Sequence, residues 1–171
     1  MMKVSFDVES VLAEPNEPVL DATDRLEREQ IEGTWFNNEE DSLGLQIYMG
    51  VSDAIWRHSP HTIPPEEPNI AEHVEQVYDS VDQLDIVTHR QHVDEQVIWW
   101  LEHHDVPYDD FISTDTPKND LDYDVWVDDN PNLVGECRLL LRHQPWNDTV
   151  DTDRMKSCDR IHTLADAADF F

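Results

Sequence analysis

The sequence predicts an α/β protein built on a parallel sheet. Two observations carry that reading. Short apolar runs of strand type alternate along the chain with segments of helical period. Such alternation argues for parallel strands joined by helices. The length, 171 residues, suits one domain, and a chain near this size removes roughly 70% of its unfolded surface from water.

The elements follow in order. Lys3 to Phe6 reads as a short buried strand that stops at Asp7, with Val11 and Leu12 after the break. Residues 14–18, EPNEP, read as a loop. Val19 to Ile31 has mixed helical spacing and heavy charge. Residues 33–47 hold Trp35, Phe36, Leu43, Leu45 and Ile47 without a regular period, and Tyr48 to Trp56 reads as a helix. The prolines of HSPHTIPPEEP, residues 58–68, mark a loop or hinge. Ile70, Val74, Val77 and Val81 then lie at helical spacing. Leu84 to Val87 is a strand running into Thr88, and Val93, Val97, Trp100 and Leu101 mark a helix ending near His103-His104. Phe111-Ile112, Tyr123 to Val127 and Cys137 to Leu141 read as further strands, and Ile161 to Phe171 as a short helix.

The charge balance is extreme: 39 Asp+Glu against 11 Lys+Arg, a net charge of -28. That excludes a basic footprint for nucleic acid and disfavours an anionic membrane surface. Six Trp, five Phe and four Tyr, with apolar residues clustered in the elements above, argue against disorder. The acid excess runs along the whole chain, and lysine occurs only at Lys3, Lys118 and Lys156. This pattern fits a halophilic cytoplasm, where salt screens self-repulsion over roughly 3 Å or less. A cytoplasmic location is expected: no apolar run approaches the ~20 residues that span a bilayer, and a carboxylate at Asp7 interrupts any signal-type segment. Cys137 and Cys158 form no CxxC pair. His58-x-x-His61 and His89-x-x-His92 have no cysteine partners, and there is no HExxH. A histidine-bound transition metal is therefore not indicated.

In parallel α/β sheets, ligands bind at the carboxyl ends of the strands. Three expected strands end there in polar residues: Asp7 with Glu9, Thr88, and Asp128 with Asp129, with Lys118 just before the last. Any one acidic pair reads as surface charge in so acidic a chain. The order and placement raise the signal. VSFDVESVL (4–12), DIVTHR (85–90), TPKND (116–120) and VWVDDNP (125–131) resemble, in order, the four motifs of the haloacid-dehalogenase-like (HAD) phosphohydrolase superfamily. The ending VDDNPNL looks most like its deoxyribonucleotidase, 5′-nucleotidase-like branch. The resemblance implies a HAD-like Rossmannoid three-layer sandwich with a central parallel sheet. It also implies a small, mostly helical cap inserted after the first strand. Residues 1–12 and 83–171 would form the core and 13–82 the cap.

The same resemblance implies the site. Asp7 is the nucleophile, able to form an aspartyl-phosphate. Glu9 is the general acid and base. Thr88, His89, Arg90 and Lys118 meet the substrate, and Thr88 and Lys118 bind its phosphate. Mg²⁺ is the expected cofactor, held by Asp7, the Glu9 backbone carbonyl, and Asp128 or Asp129. One residue departs from the pattern: the family has Asp where Glu9 stands. A glutamate is one methylene longer, and a misplacement of about an ångström can cost around a hundredfold in rate.

The expected activity is hydrolysis of a small phosphorylated metabolite, with a nucleoside 5′-monophosphate favoured. The alternative is a catalytically weak HAD-fold protein that binds a nucleotide or a partner. Trp35, Phe36, Tyr48 and Trp56 either form the cap's small core or stack on a nucleobase. Arg57 and Arg90 reach substrate phosphate or pair on the surface. The chain is expected as a monomer or homodimer.

Overall fold

The computed structural model describes residues 1–29, 31, 43–133 and 138–171. Trp35, Phe36 and Cys137 lie outside the described residues. Six strands form one parallel sheet: β1 (Lys3–Phe6), β2 (Gln83–Thr88), β3 (Asp110–Ser113), β4 (Val125–Asp128), β5 (Arg138–Arg142) and β6 (Cys158–Ile161). Their order is β3-β2-β1-β4-β5-β6. β1 is thus central, with Ser5 in register with Asp85 on one side and Trp126 on the other.

Side chains alternate across a strand, and the two faces carry different clusters. Val4, Phe6, Leu84, Ile86, Val125, Val127 and Leu140 pack under helices on one face. Those helices are α3 (Ile70–Tyr78), α4 (Asp94–His103) and α5 (Leu164–Ala168). Val87, Trp126, Leu139, Leu141 and Cys158 face the other way. There the cover is 3-10 turns and loops, with Leu121, Leu133 and Met155 packed against the sheet. The result is a three-layer α/β sandwich whose second outer layer is made of short turns.

Between β1 and α3 lie α1 (Asn16–Ala22) and α2 (Leu43–His58). They share an apolar cluster of their own, built on Val19, Leu26, Ile31 and Tyr48. The expected loop at EPNEP is corrected by α1, which begins at Asn16. Pro18 falls in its first turn, where a missing N–H costs no intrahelical bond. α3 ends at Tyr78, short of Val81, although Val81 still packs on the main cluster. β6 has no counterpart in the sequence reading, and the expected terminal helix begins after it. Among the described residues, no helix is long and apolar enough to cross a membrane.

Candidate active site

The chain turns sharply after β1. Ser10 adopts a left-handed backbone (φ 62), and its N–H donates to the Ala13 carbonyl at 2.8 Å. Val8, Val11, Leu12 and Ala13 are buried around this turn. The β1 ladder extends one residue further, with the Asp7 N–H donating to the Val127 carbonyl at 3.0 Å. Asp7 therefore stands beside the end of β4, next to Asp128.

Carboxylate oxygens of Asp7, Asp128 and Asp129 all lie within 4.8 Å of one another. Lys118, in the 3-10 turn Lys118–Asp120, is inserted between two of them. Its Nζ is 2.6 Å from Asp128 Oδ2 and 3.0 Å from Asp7 Oδ1. The lysine is buried, which favours its neutral form, but the anions of Asp128 and Asp7 outweigh that and push its pKa up. Burial lifts Asp7 to about 7, against the pull of Lys118 and with a further push from Asp128. Asp129 is raised well above the usual carboxylate range, first by burial and then by Asp128 and Asp7. Three crowded carboxylates share a single ammonium in a site built from oxygen donors.

Thr88 ends β2 beside this cluster. Its hydroxyl accepts the Arg90 N–H at 3.0 Å, which leaves its own O–H to donate. Glu9 is held on the other side. Its Oε1 accepts from Trp56 Nε1 at 2.9 Å and from the Ser52 hydroxyl at 3.4 Å, and its Oε2 accepts from Arg90 at 2.8 Å. Arg90 also pairs with Asp53. The His89 ring sits 2.9 Å from the Thr114 carbonyl.

Asp7, Glu9, Thr88, His89, Arg90, Lys118, Asp128 and Asp129 all line one cavity of about 230 Å³. The eight residues singled out from sequence are thus brought together at the carboxyl edge of the sheet. Met49 from α2 and Asn130 complete the lining. Arg57 is exposed and does not line it. Of the aromatics expected to stack or pack, Tyr48 and Trp56 are buried. The Tyr48 hydroxyl donates to Asn16 at 2.9 Å.

Sequence reading missed the groups that hold this set from behind. Trp146 Nε1 donates to Asp129 Oδ2 at 2.8 Å. Asn147 donates to the Asp129 carbonyl at 3.0 Å and to the Arg142 carbonyl at 2.8 Å. Both lie in the 3-10 turn Pro145–Asn147 after β5. The available signal was an aromatic in a polar, proline-containing stretch at the end of a strand.

No family model and no curated protein matches the sequence. The fold does have likenesses among solved structures. A HAD-superfamily hydrolase of subfamily IA, variant 1, from Geobacter sulfurreducens PCA aligns with TM-score 0.61 at 12% identity, covering 100% of each chain. CbbY from Rhodobacter sphaeroides, in complex with phosphate, aligns with TM-score 0.57 at 15% identity, covering 96% of each chain. A HAD-superfamily hydrolase from Ehrlichia chaffeensis aligns with TM-score 0.56 at 12% identity, over 99% of this chain and 97% of that one. A parallel sheet with β1 at its centre, acids at the tips of β1 and β4, and these likenesses agree: the chain has the fold of the HAD-superfamily hydrolases.

Proposed function

We propose that the protein is a Mg²⁺-dependent phosphohydrolase that removes phosphate from small phosphorylated metabolites, with Asp7 as nucleophile. The supporting observation is the Asp7, Asp128 and Asp129 cluster with Lys118 inserted in it, facing a small cavity. A carboxylate oxygen of Asp7 attacks phosphorus as the ester bond breaks; an aspartyl-phosphate forms and the leaving oxygen departs with the bonding pair. Water then attacks that phosphorus, releasing inorganic phosphate and restoring the Asp7 carboxylate. Lys118 orients Asp7 and offsets charge on the phosphoryl group, and the free O–H of Thr88 donates to a phosphoryl oxygen. His89 lines the mouth as a substrate contact.

The donor set fits a hard divalent cation: three carboxylates crowd together, and burial, with a further push from their neighbours' charge, lifts Asp7 and Asp129. Asp7, the Glu9 backbone carbonyl, and Asp128 or Asp129 would hold Mg²⁺. When bound, it supplies the positive charge that lets an anionic nucleophile approach an anionic phosphate. The phosphate named with the CbbY neighbour supports a phosphoryl ligand here.

We read residues 1–12 and 83–171 as the core and 13–82 as the cap. The apolar cluster that α1 and α2 share supports a cap, although Trp56 of α2 and the buried face of α3 pack with the sheet. A nucleoside 5′-monophosphate rests on the motif resemblance alone, since Tyr48 and Trp56 are buried. The acidic, lysine-poor composition supports a halophilic, cytoplasmic setting. Glu9, drawn toward Arg90 and Trp56, supports a second reading: a catalytically weak protein of this fold that binds a nucleotide or partner.

Phosphate release decides between them. In about 2 M KCl, where screening falls below roughly 3 Å, the protein with Mg²⁺ is expected to turn over p-nitrophenyl phosphate. EDTA or Asp7→Asn should abolish this, by about a hundredfold or more. Mg²⁺ binding without turnover would select the second reading.

A further inference from the structure

Cleaving an ordinary phosphate ester needs a proton for the departing oxygen. Glu9 occupies the position from which it would come, yet its carboxylate is committed elsewhere. Arg90 donates to one oxygen at 2.8 Å and Trp56 Nε1 to the other at 2.9 Å, with the Ser52 hydroxyl at 3.4 Å. These donors are fixed. The Arg90 side chain is 3% exposed and is itself anchored by Asp53. Trp56 and Ser52 are fully buried. Ser52, Asp53 and Trp56 all belong to α2. Glu9 also stands apart from the cluster that Asp7 forms with Asp128 and Asp129. The Glu9 carboxylate thus ends against α2 and Arg90.

We propose that Glu9 ties α2 to the core and does not protonate the leaving group, so that the site takes phosphoryl donors whose leaving group departs as a stable anion. That class is acyl phosphates and phosphoanhydrides, with aryl phosphates as laboratory surrogates. The inference rests on the phosphohydrolase reading and narrows its substrate. In the first step the Asp7 oxygen–phosphorus bond forms and the phosphorus–leaving-group bond breaks. The leaving group takes the bonding pair and stays an anion. In the second step water adds to phosphorus, the Asp7 oxygen leaves as carboxylate, and the water proton passes to solvent. Alkyl phosphates, nucleoside monophosphates among them, would have to expel a strongly basic alkoxide and are disfavoured.

The test compares kcat/KM for acetyl phosphate and p-nitrophenyl phosphate with that for adenosine monophosphate and glycerol phosphate, in Mg²⁺ and concentrated KCl. The first pair should exceed the second by about a hundredfold or more, the lower range of what a proton donor contributes. Arg90→Met removes the cationic donor that holds Glu9, beside Trp56 and Ser52, and should narrow that gap by about tenfold. Similar values for the two pairs would overturn the inference and leave the phosphohydrolase standing. An unchanged gap in folded Arg90→Met would also overturn it. No phosphate from any of the four, acetyl phosphate included, would remove the phosphohydrolase reading and this inference together. Should Arg90→Met fail to fold, the comparison on the unaltered protein still decides.

Discussion

Asp129 is held where its charged form is costly. It is buried beside two other carboxylates, and its pKa is driven up by burial, Asp128 and Asp7. Lys118 compensates one charge, and the Trp146 N–H supplies a neutral donor at 2.8 Å. A raised carboxylate pKa means that the folded state penalises the charged form. Asp129→Asn removes that charge while keeping an oxygen for Trp146. The variant is expected to gain about 1 kcal/mol in EDTA, read as a higher melting midpoint, while losing most Mg²⁺ affinity by calorimetry. Lower metal-free stability in Asp129→Asn would contradict this account of the cluster.

At the level of elements, the loops behind the site form a polar lattice. Gln144, just after β5, donates to the Ser10 carbonyl at 2.7 Å and to Glu66 at 2.6 Å. Arg142 pairs with Glu67 at 2.8 Å, and Glu67 also accepts from the Leu164 N–H. The turn after β1, the breaker loop before α3 and the segment after β5 are thereby tied together. Glu66 is the loose member. One of its oxygens is buried without a partner, and burial raises its pKa from 4.5 to about 7, despite Gln144 and Arg142. A carboxylate raised in the fold binds more protons folded than unfolded between those values. Stability should therefore fall as pH rises from about 4.5 to about 7. Glu66→Gln keeps the acceptor for Gln144 and loses the titration. Its melting midpoint should fall less than that of the parent across this window, with parallel curves as the result that contradicts the assignment.

For the whole molecule, charge sets the working conditions. A net charge of -28 on one domain is a sum of repulsions that salt weakens. Arg and Lys are too few to pair with the acids, and several of them serve buried contacts: Lys118 at the cluster, Arg90 at Glu9, Arg142 at Glu67. The melting midpoint should rise between dilute buffer and about 2 M KCl by more than about 4 °C, the shift that about 1 kcal/mol produces at this size. A midpoint indifferent to KCl would remove the halophilic reading and leave the fold untouched.

Most of the sheet was legible in the sequence because buried parallel strands are short apolar runs. KVSF, LDIV and YDVWV read that way at once. β6 was not legible: its CDRI has two half-exposed charged residues at the sheet edge. The eight residues that line the cavity were named from the four motifs. Three of those motifs fall where an apolar strand meets polar residues, which is visible locally, whereas Lys118 lies in a turn and was named by its motif alone. What those side chains do with one another was not local. That Lys118 bridges Asp7 and Asp128, that Trp146 holds Asp129, and that Glu9 turns to Arg90 and Trp56 depend on segments as far apart in sequence as Asp7 and Lys118. By itself the sequence determined the apolar runs that become strands, the acidic composition and the motifs at the strand ends. Only the tertiary structure decided the partners of each charge, because a side chain's hydrogen bonds are set by the neighbours that packing brings within about 3 Å.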